Sequence, residues 1–206
     1  MNSPKNTYSA SFTAGALLYE ETSALLEYLN SENIQTISDQ ATSTNLLKVN
    51  SESARTRIIA EIIKRYKSVN NDVFKIFATS SVKEQKILLF YVCMKSYPLL
   101  FDFVFEVVIE KWLSLDLIIK SDDVSRFLDM KTDQHPEISK WSDLTIIKIR
   151  SSIIRIVKES GFIMNKSIKQ VELNSGFLKN FVRWGDSWFL QAILLNKMQR
   201  GKIING

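Results

Sequence analysis

The sequence predicts a mainly α-helical protein, and two observations carry that prediction. The 206 residues include only 6 Gly and 3 Pro, too few turn-forming residues for a sandwich or barrel of many short strands. Apolar residues also recur at helical spacing behind capping residues, as in the stripe that follows Ser51 and consists of Ile58, Ile59, Ile62, Ile63 and Tyr66. With 45% hydrophobic and 24% charged residues, the chain can bury a sizeable core. We therefore expect a compact multi-helix bundle.

The elements of the N-terminal half follow from capping residues and apolar periodicity. Residues 1–12 are expected to form an irregular arm. Helices are predicted, in order, from Thr13 to about Asn30, over a short stretch near Ser38–Leu47, from Ser51 to about Lys67, and from Asn70 or Asn71 to Thr79. Ser81-Val82-Lys83-Glu84 has the spacing of a capping box, so the next helix begins there. Pro98 suits the first turn of the helix after it, which predicts two buried helices broken near Tyr97-Pro98.

The C-terminal half combines helices with one short hairpin. Helices are predicted from Ser121-Asp122-Asp123 to about Met130, from Ser142 or Asp143 to Ser160 with Gly161 at its end, and over Phe177–Asn196 with an interruption at Trp184-Gly185-Asp186. Two short alternating runs flank Asn165-Lys166 and could pair as a β-hairpin. These elements suggest a helical body with an N-terminal arm over 1–136 and a basic helical subdomain over 137–206 packed on it. A single domain fits the same pattern.

The positive charge is concentrated in the last third of the chain. The whole sequence has 27 Lys and Arg against 22 Asp and Glu, a net charge of +5. Residues 137–206 contain twelve of those bases and five of the acids, so they carry +7 while the remainder carries −2. A localised basic surface favours an anionic partner such as nucleic acid.

The helix predicted from Asp143 to Ser160 has two unlike faces. Its expected buried half consists of Ile146, Ile147, Ile149, Ile153, Ile154, Ile156 and Val157. The opposite arc forms an exposed ridge of Lys148, Ser151, Ser152, Arg155 and Lys158. Together with Lys166 and Lys169 in the possible hairpin, this is what a winged-helix DNA-binding protein would present. Plain solubilising charge on a helix bundle accounts for most of the same pattern.

A second, weaker set of cations lies on the helix that follows Ser51. Arg57 and Lys64 are seven residues apart on the face opposite the isoleucine stripe, with Glu61 between them. Contact with DNA phosphates is one interpretation, and pairing within the helix is the more common one. Arg55 projects near the apolar stripe and could pair with a buried carboxylate or carbonyl.

The sequence lacks the motifs of common catalytic sites. It contains no Walker loop, GxGxxG, HExxH, GxSxG or CxxC, and Cys93 and His135 are the only residues of their types. Asp102, Glu106 and Glu110 could bind Mg²⁺ from one helical face, yet no second carboxylate cluster supports them. We therefore expect a protein that is not an enzyme and that uses neither metal nor cofactor.

Two further expectations concern the apolar segments. Charged residues interrupt the stretch from Ile87 to Leu117, which predicts buried helices and no membrane span. The polar N-terminus has no apolar core of the secretory type, so a cytoplasmic protein is expected. The aromatic residues near the C-terminus are expected in the core and not as a base-stacking platform: Phe181, Trp184, Trp188 and Phe189.

The opening segment Tyr8-Ser9-Ala10-Ser11-Phe12-Thr13-Ala14-Gly15-Ala16-Leu17-Leu18, followed by Glu20-Glu21, resembles the opening of the BREX protein A family. Arg55-Thr56-Arg57-Ile58-Ile59-Ala60-Glu61-Ile62-Ile63-Lys64-Arg65 and the overall helical layout agree with it, although Ala14 stands where the family often has a second glycine. BREX is a multi-gene bacterial defence system against phage. The resemblance implies a small non-enzymatic protein whose fold is likened to that of the antitermination factor NusB. It also implies that the protein binds DNA and acts beside the BREX methyltransferase, ATPase and phosphatase-like components.

These observations give two competing functions. The first is a DNA-binding accessory component that contacts the backbone of double-stranded DNA through its basic helical surface. The second is an adaptor whose basic face docks an acidic partner subunit among the other BREX proteins.

Overall fold

The computed structural model describes residues 7–29, 45–164 and 166–206, and it confirms the mainly α-helical fold. The elements are a 3₁₀ turn (Ser11–Ala14), α1 (Tyr19–Leu29), α2 (Glu52–Lys67), α3 (Asp72–Thr79), α4 (Val82–Ser96), α5 (Pro98–Phe103), a π-helical turn (Val104–Val108), α6 (Ile109–Leu113), α7 (Ser121–Thr132), a 3₁₀ turn (Ile138–Lys140), α8 (Asp143–Glu159), β1 (Ile163–Met164), β2 (Ser167–Ile168), α9 (Ser175–Arg183), α10 (Phe189–Ala192) and α11 (Lys197–Asn205).

Local signals set most of the helix ends, as predicted. The hydroxyl oxygen of Ser51 accepts a hydrogen bond from the backbone of Ala54 at the start of α2. Ser81 and Glu84 form the predicted capping box of α4. Ser142 caps α8, and Gly161 follows its end with φ +94°, a left-handed conformation that glycine adopts without steric cost.

The start of α1 was predicted too early. The Thr13 hydroxyl donates to the carbonyl of Ala10 and does not cap a helix, so only a 3₁₀ turn forms there. Leu18 then adopts a positive φ of 57°, and α1 begins at Tyr19. The predicted end at Asn30 and most of the predicted helix at 38–47 fall outside the described residues. Residues 45–47 form a turn.

The C-terminal helical region is more divided than predicted. The interruption near Gly185 is confirmed, because α9 ends at Arg183 and α10 begins at Phe189. The predicted end at Asn196 is wrong. Asn196 instead forms a capping box with Gln199 and begins α11.

Helix α4 lies at the centre of the core, with every residue from Ile87 to Met94 buried. Tyr91 packs against the rings of Phe181, Trp184, Trp188 and Phe189, so the C-terminal aromatic residues are core residues as expected. The buried apolar cluster includes residues from both sides of position 136.

The apolar helices bend sharply at the predicted break. Within the described ranges, no single helix is long and apolar enough to cross a membrane; α4 and the segment Pro98–Leu113 reach that length only together, and they bend by 112°. The π-helical turn interrupts the second segment between α5 and α6, and Asp102 and Glu106 both contact Lys131 across it.

Candidate nucleic-acid interface

The predicted β-hairpin is present, and it belongs to a larger winged-helix-like arrangement. β1 and β2 pair antiparallel directly after α8. The backbone N–H of Ile168 in β2 donates to the carbonyl of Leu117 at 2.7 Å, so the segment before α7 lies beside β2 on the side away from β1. Helix α7 packs against α8. The order helix, extended segment, helix, helix, hairpin is that of a winged helix, in which the helix before the hairpin is the recognition helix.

Helix α8 holds this position because its two faces differ. Ile149, Ile153, Ile156 and Val157 are buried. Their burial directs the opposite side of the helix to solvent. The prediction that Ile147 is buried is wrong, because its side chain lies at the edge of the apolar arc and is 51% exposed.

The predicted ridge is on the solvent side of α8. Lys148, Ser151, Arg155 and Lys158 are exposed and Ser152 is half-buried. Lys148 and Lys158 make no ion pair or hydrogen bond with any described residue. Arg155 donates to Glu159 at 3.1 Å, so part of its charge is neutralised within the helix. The ridge therefore presents two free cations and one that is shared with an acid.

The hairpin adds two cations beyond the end of α8. Lys166 occupies the turn with a positive φ of 66°, and Lys169 follows β2. Both are exposed. Neither side chain has a partner among the residues for which the structure gives positions. Lys166 and Lys169 therefore place two further exposed cations in the hairpin, at its turn and just after β2.

Arg57 and Lys64 do not pair with Glu61 as the common interpretation of their spacing predicts. Glu61 is buried and instead contacts Arg65 and the hydroxyl of Tyr97. Lys64 donates to the hydroxyl of Ser11 at 2.5 Å, and Arg57 and Lys64 line a cleft of about 350 Å³. Glu61 is thus a structural residue, and the two cations remain on the surface.

The N-terminal segment connects the two basic helices. Its 3₁₀ turn contacts both α2 and α8. The Arg65 guanidinium donates to the carbonyls of Gly15, Ala16 and Leu17, and Glu159 accepts from the backbone N–H of Leu17 at 3.0 Å. The segment that carries the family resemblance therefore connects α2 to α8, and its residues Ser11–Leu17 are called the N-terminal joint below.

This joint brings cations of both helices to neighbouring clefts. Ala14 lines the cleft of Arg57 and Lys64, and it also lines an adjacent cleft of about 430 Å³ that contains Arg155. The sequence could not reveal this neighbourhood, because the residues are about a hundred positions apart. Arg55, as predicted, bonds a carbonyl: its guanidinium donates to Val49 at 2.6 Å.

Asp102, Glu106 and His135, which the sequence analysis also considered, contact other side chains of the fold. Lys131 pairs with Glu106 at 2.5 Å and with Asp102 at 3.6 Å. The ring of His135 lies against that of Tyr8, with centroids 4.0 Å apart, and its Nδ1 lies 3.4 Å from Glu137. The backbone N–H of Tyr8 donates to Glu137, which lowers the pKa of that carboxyl. Within the described part of the chain, no group of three or more acids, histidines or cysteines could hold a metal ion.

The fold and this surface define a mainly α-helical protein with a small C-terminal hairpin that follows a helix with a basic exposed side. A crystal structure of an uncharacterized protein from Magnetospirillum magneticum has a similar fold, with a TM-score of 0.75, 16% identity, and coverage of 93% of this chain and 100% of that one. The sequence model of the BrxA family matches residues 6–183. The chain belongs to the BrxA family.

Two curated relatives agree with that assignment. "BREX protein BrxA" of Bacillus cereus (strain H3081.97) is 25% identical over 162 residues, 77% of this chain and 81% of the relative. "BREX protein BrxA" of Escherichia coli O9:H4 (strain HS) is 25% identical over 150 residues, 72% of this chain and 70% of the relative. The resemblance noted in the opening segment is confirmed.

Proposed function

We propose that this protein is a non-enzymatic, DNA-binding accessory component of a BREX anti-phage system, acting with other BREX proteins. It contacts the backbone of double-stranded DNA through the ridge of α8 and the hairpin. The observation that carries the proposal is the exposure of Lys148, Arg155 and Lys158 on one side of the helix that precedes a wing. Cations in that position contact phosphates on both sides of the groove that a recognition helix enters.

Arg57 and Lys64 extend this interface in the proposal. The 3₁₀ turn between α2 and α8 brings their cleft next to that of Arg155. A duplex bound along α8 can then meet a second set of cations across the N-terminal joint. Replacement of Arg57 and Lys64 by glutamate therefore weakens binding in addition to the loss caused by changes in α8.

The test compares two triple variants that change the net charge equally. In the first, Lys148, Arg155 and Lys158 are replaced by glutamate. In the control, the exposed residues Lys67, Lys83 and Lys179 are replaced by glutamate. Binding to a duplex is measured by fluorescence anisotropy over a series of salt concentrations.

The α8 variant should bind more weakly and depend less on salt. Each lost phosphate contact reduces the slope of log K against log salt by about 0.9, so three contacts reduce it by about 2.7. The control variant should keep most of the slope. Equal losses in the two variants would show that only net charge matters, and an unchanged slope in the α8 variant would remove the ridge from the interface.

The adaptor remains the second candidate, and the same protein preparation separates it from the first. The adaptor function is supported if the protein does not bind duplex DNA at low salt but still copurifies with another BREX protein after nuclease treatment. Loss of that copurification in the α8 triple variant would place the acidic partner on the same ridge.

A further inference from the structure

Two exposed apolar side chains lie at the N-terminal end of α8. Leu144 is 70% exposed and Ile147 is 51% exposed. Elsewhere in this helix the isoleucines are buried or half-buried against the core. Leu144 and Ile147 have no such role in the packing, because their side chains point away from it.

These two residues lie on the same side of α8 as the cations. At about 100° per residue, Leu144, Ile147, Lys148, Ser151, Arg155 and Lys158 fall within an arc of roughly 100°. The apolar pair occupies the first two turns of this arc, and the cations occupy the rest. A duplex bound to the cations would therefore also meet Leu144 and Ile147.

The position within the helix indicates which part of the duplex they would meet. The N-terminal residues of a recognition helix contact base edges in the major groove, while residues around them contact the backbone. Leucine and isoleucine side chains offer no hydrogen bond, so phosphates and the polar base edges are poor partners. The C5-methyl group of thymine is the apolar feature of the major groove.

We propose that Leu144 and Ile147 contact the C5-methyl groups of thymines in the major groove, which gives the protein a preference for thymine at the bases under the start of α8. This inference rests on the proposed DNA binding and names the base feature that the helix reads. Ser151, one turn further on the same arc, has its hydroxyl bonded to the carbonyl of Ile147. The hydrogen of the Ser151 hydroxyl is therefore already engaged within the helix.

The experiment uses an A·T-rich duplex and the same duplex synthesised with deoxyuridine in place of thymidine. The two differ only in the C5-methyl groups. The full chain should bind the uracil duplex more weakly, by about fourfold for each methyl group that it contacts, the factor expected for burial of one methyl-sized group. The Leu144→Ala, Ile147→Ala double variant should bind both duplexes equally.

Two control variants and a folding measurement complete the test. Met198→Ala removes an apolar side chain that is 72% exposed on α11, and it should keep the discrimination. Lys158→Glu should weaken binding to both duplexes and keep their ratio. Both residues of the double variant are exposed, so its thermal unfolding should match that of the unmodified protein.

The outcomes separate this inference from the proposed function. Tight, salt-dependent binding with equal affinity for the two duplexes would overturn the methyl contact and leave the DNA binding standing. Discrimination that persists in the double variant would overturn the assignment to Leu144 and Ile147. Absence of binding to either duplex at low salt would overturn the proposed function itself.

Discussion

Arg65 joins three parts of the chain through one buried side chain, and its replacement by methionine should destabilise the protein strongly. The guanidinium is 3% exposed and donates to Tyr97, to Gly15 and to the carbonyls of the next two residues at 2.7–3.0 Å. Methionine fills much of the same volume without charge or donors. The variant therefore isolates the polar contribution of this residue.

The expected loss follows from what the substitution leaves behind. Glu61 lies 3.6 Å from Arg65, is 7% exposed, and would keep only its hydrogen bond from Tyr97. Removal of one partner of a buried ion pair costs about 3–5 kcal/mol. Domains of ordinary stability have about 5–15 kcal/mol, so the variant should fold but unfold at much lower urea concentration.

Equilibrium unfolding in urea measures this effect, with Lys67→Met as the control on the exposed side of the same helix. The control should change the free energy of unfolding by no more than about 0.5 kcal/mol. Addition of Glu61→Leu to Arg65→Met should recover part of the lost free energy of unfolding, because it removes the buried Glu61 carboxylate that has no cationic partner in the single variant. A loss below about 1 kcal/mol for Arg65→Met, or no recovery in the double variant, would refute this account of the joint.

Two other substitutions test features of the winged-helix-like unit. Burial opposes ionisation of Asp123, but hydrogen bonds from the backbone of Lys120 and from the side chains of Arg126 and Lys111 hold its pKa below the ordinary value. Its contribution to stability is thus present above the unfolded pKa near 3.9 and disappears as the pH falls through the lower folded pKa. Asp123→Asn should cost about 1–2 kcal/mol at neutral pH and little at low pH, and a pH-independent loss in urea titrations would contradict this. Gly161→Ala forces a side chain into the left-handed region and should cost about 1 kcal/mol, a fall of about 2–4 °C in Tm. The control Gly201→Ala, within α11, should leave Tm equal or higher. A fall of the same size in both variants would show that the conformation of Gly161 is not the cause.

The sequence predicted the elements whose determinants are local. Ser51, the Ser81–Glu84 capping box and Gly161 each act within a few residues, so the bounds of α2, α4 and α8 could be predicted closely. Part of the ridge could be predicted for the same reason, since helical periodicity alone places Lys148, Ser151, Arg155 and Lys158 on one side.

Features that depend on distant contacts could not be predicted. The burial of Glu61 requires Tyr97 and Arg65. The hydrogen bond between Ile168 and Leu117 connects residues that α7 and α8 separate in the sequence. The exposure of Ile147 depends on where the packing partners of α8 end, which helical periodicity does not specify. The start of α11 is different: the Asn196 and Gln199 spacing was a local signal that the prediction of one continuous helical region overlooked.

The joint at the N-terminus has a consequence for synthesis of the chain. Two partners of the opening segment lie far downstream: Tyr8 bonds Glu137, 129 residues later, and Leu17 bonds Glu159, 142 residues later. The opening segment leaves the ribosome well before these partners, so it cannot reach its final place until most of the chain has followed it. Because such long-range contacts form slowly, the helices of the core can assemble first, and the opening segment closes the structure last.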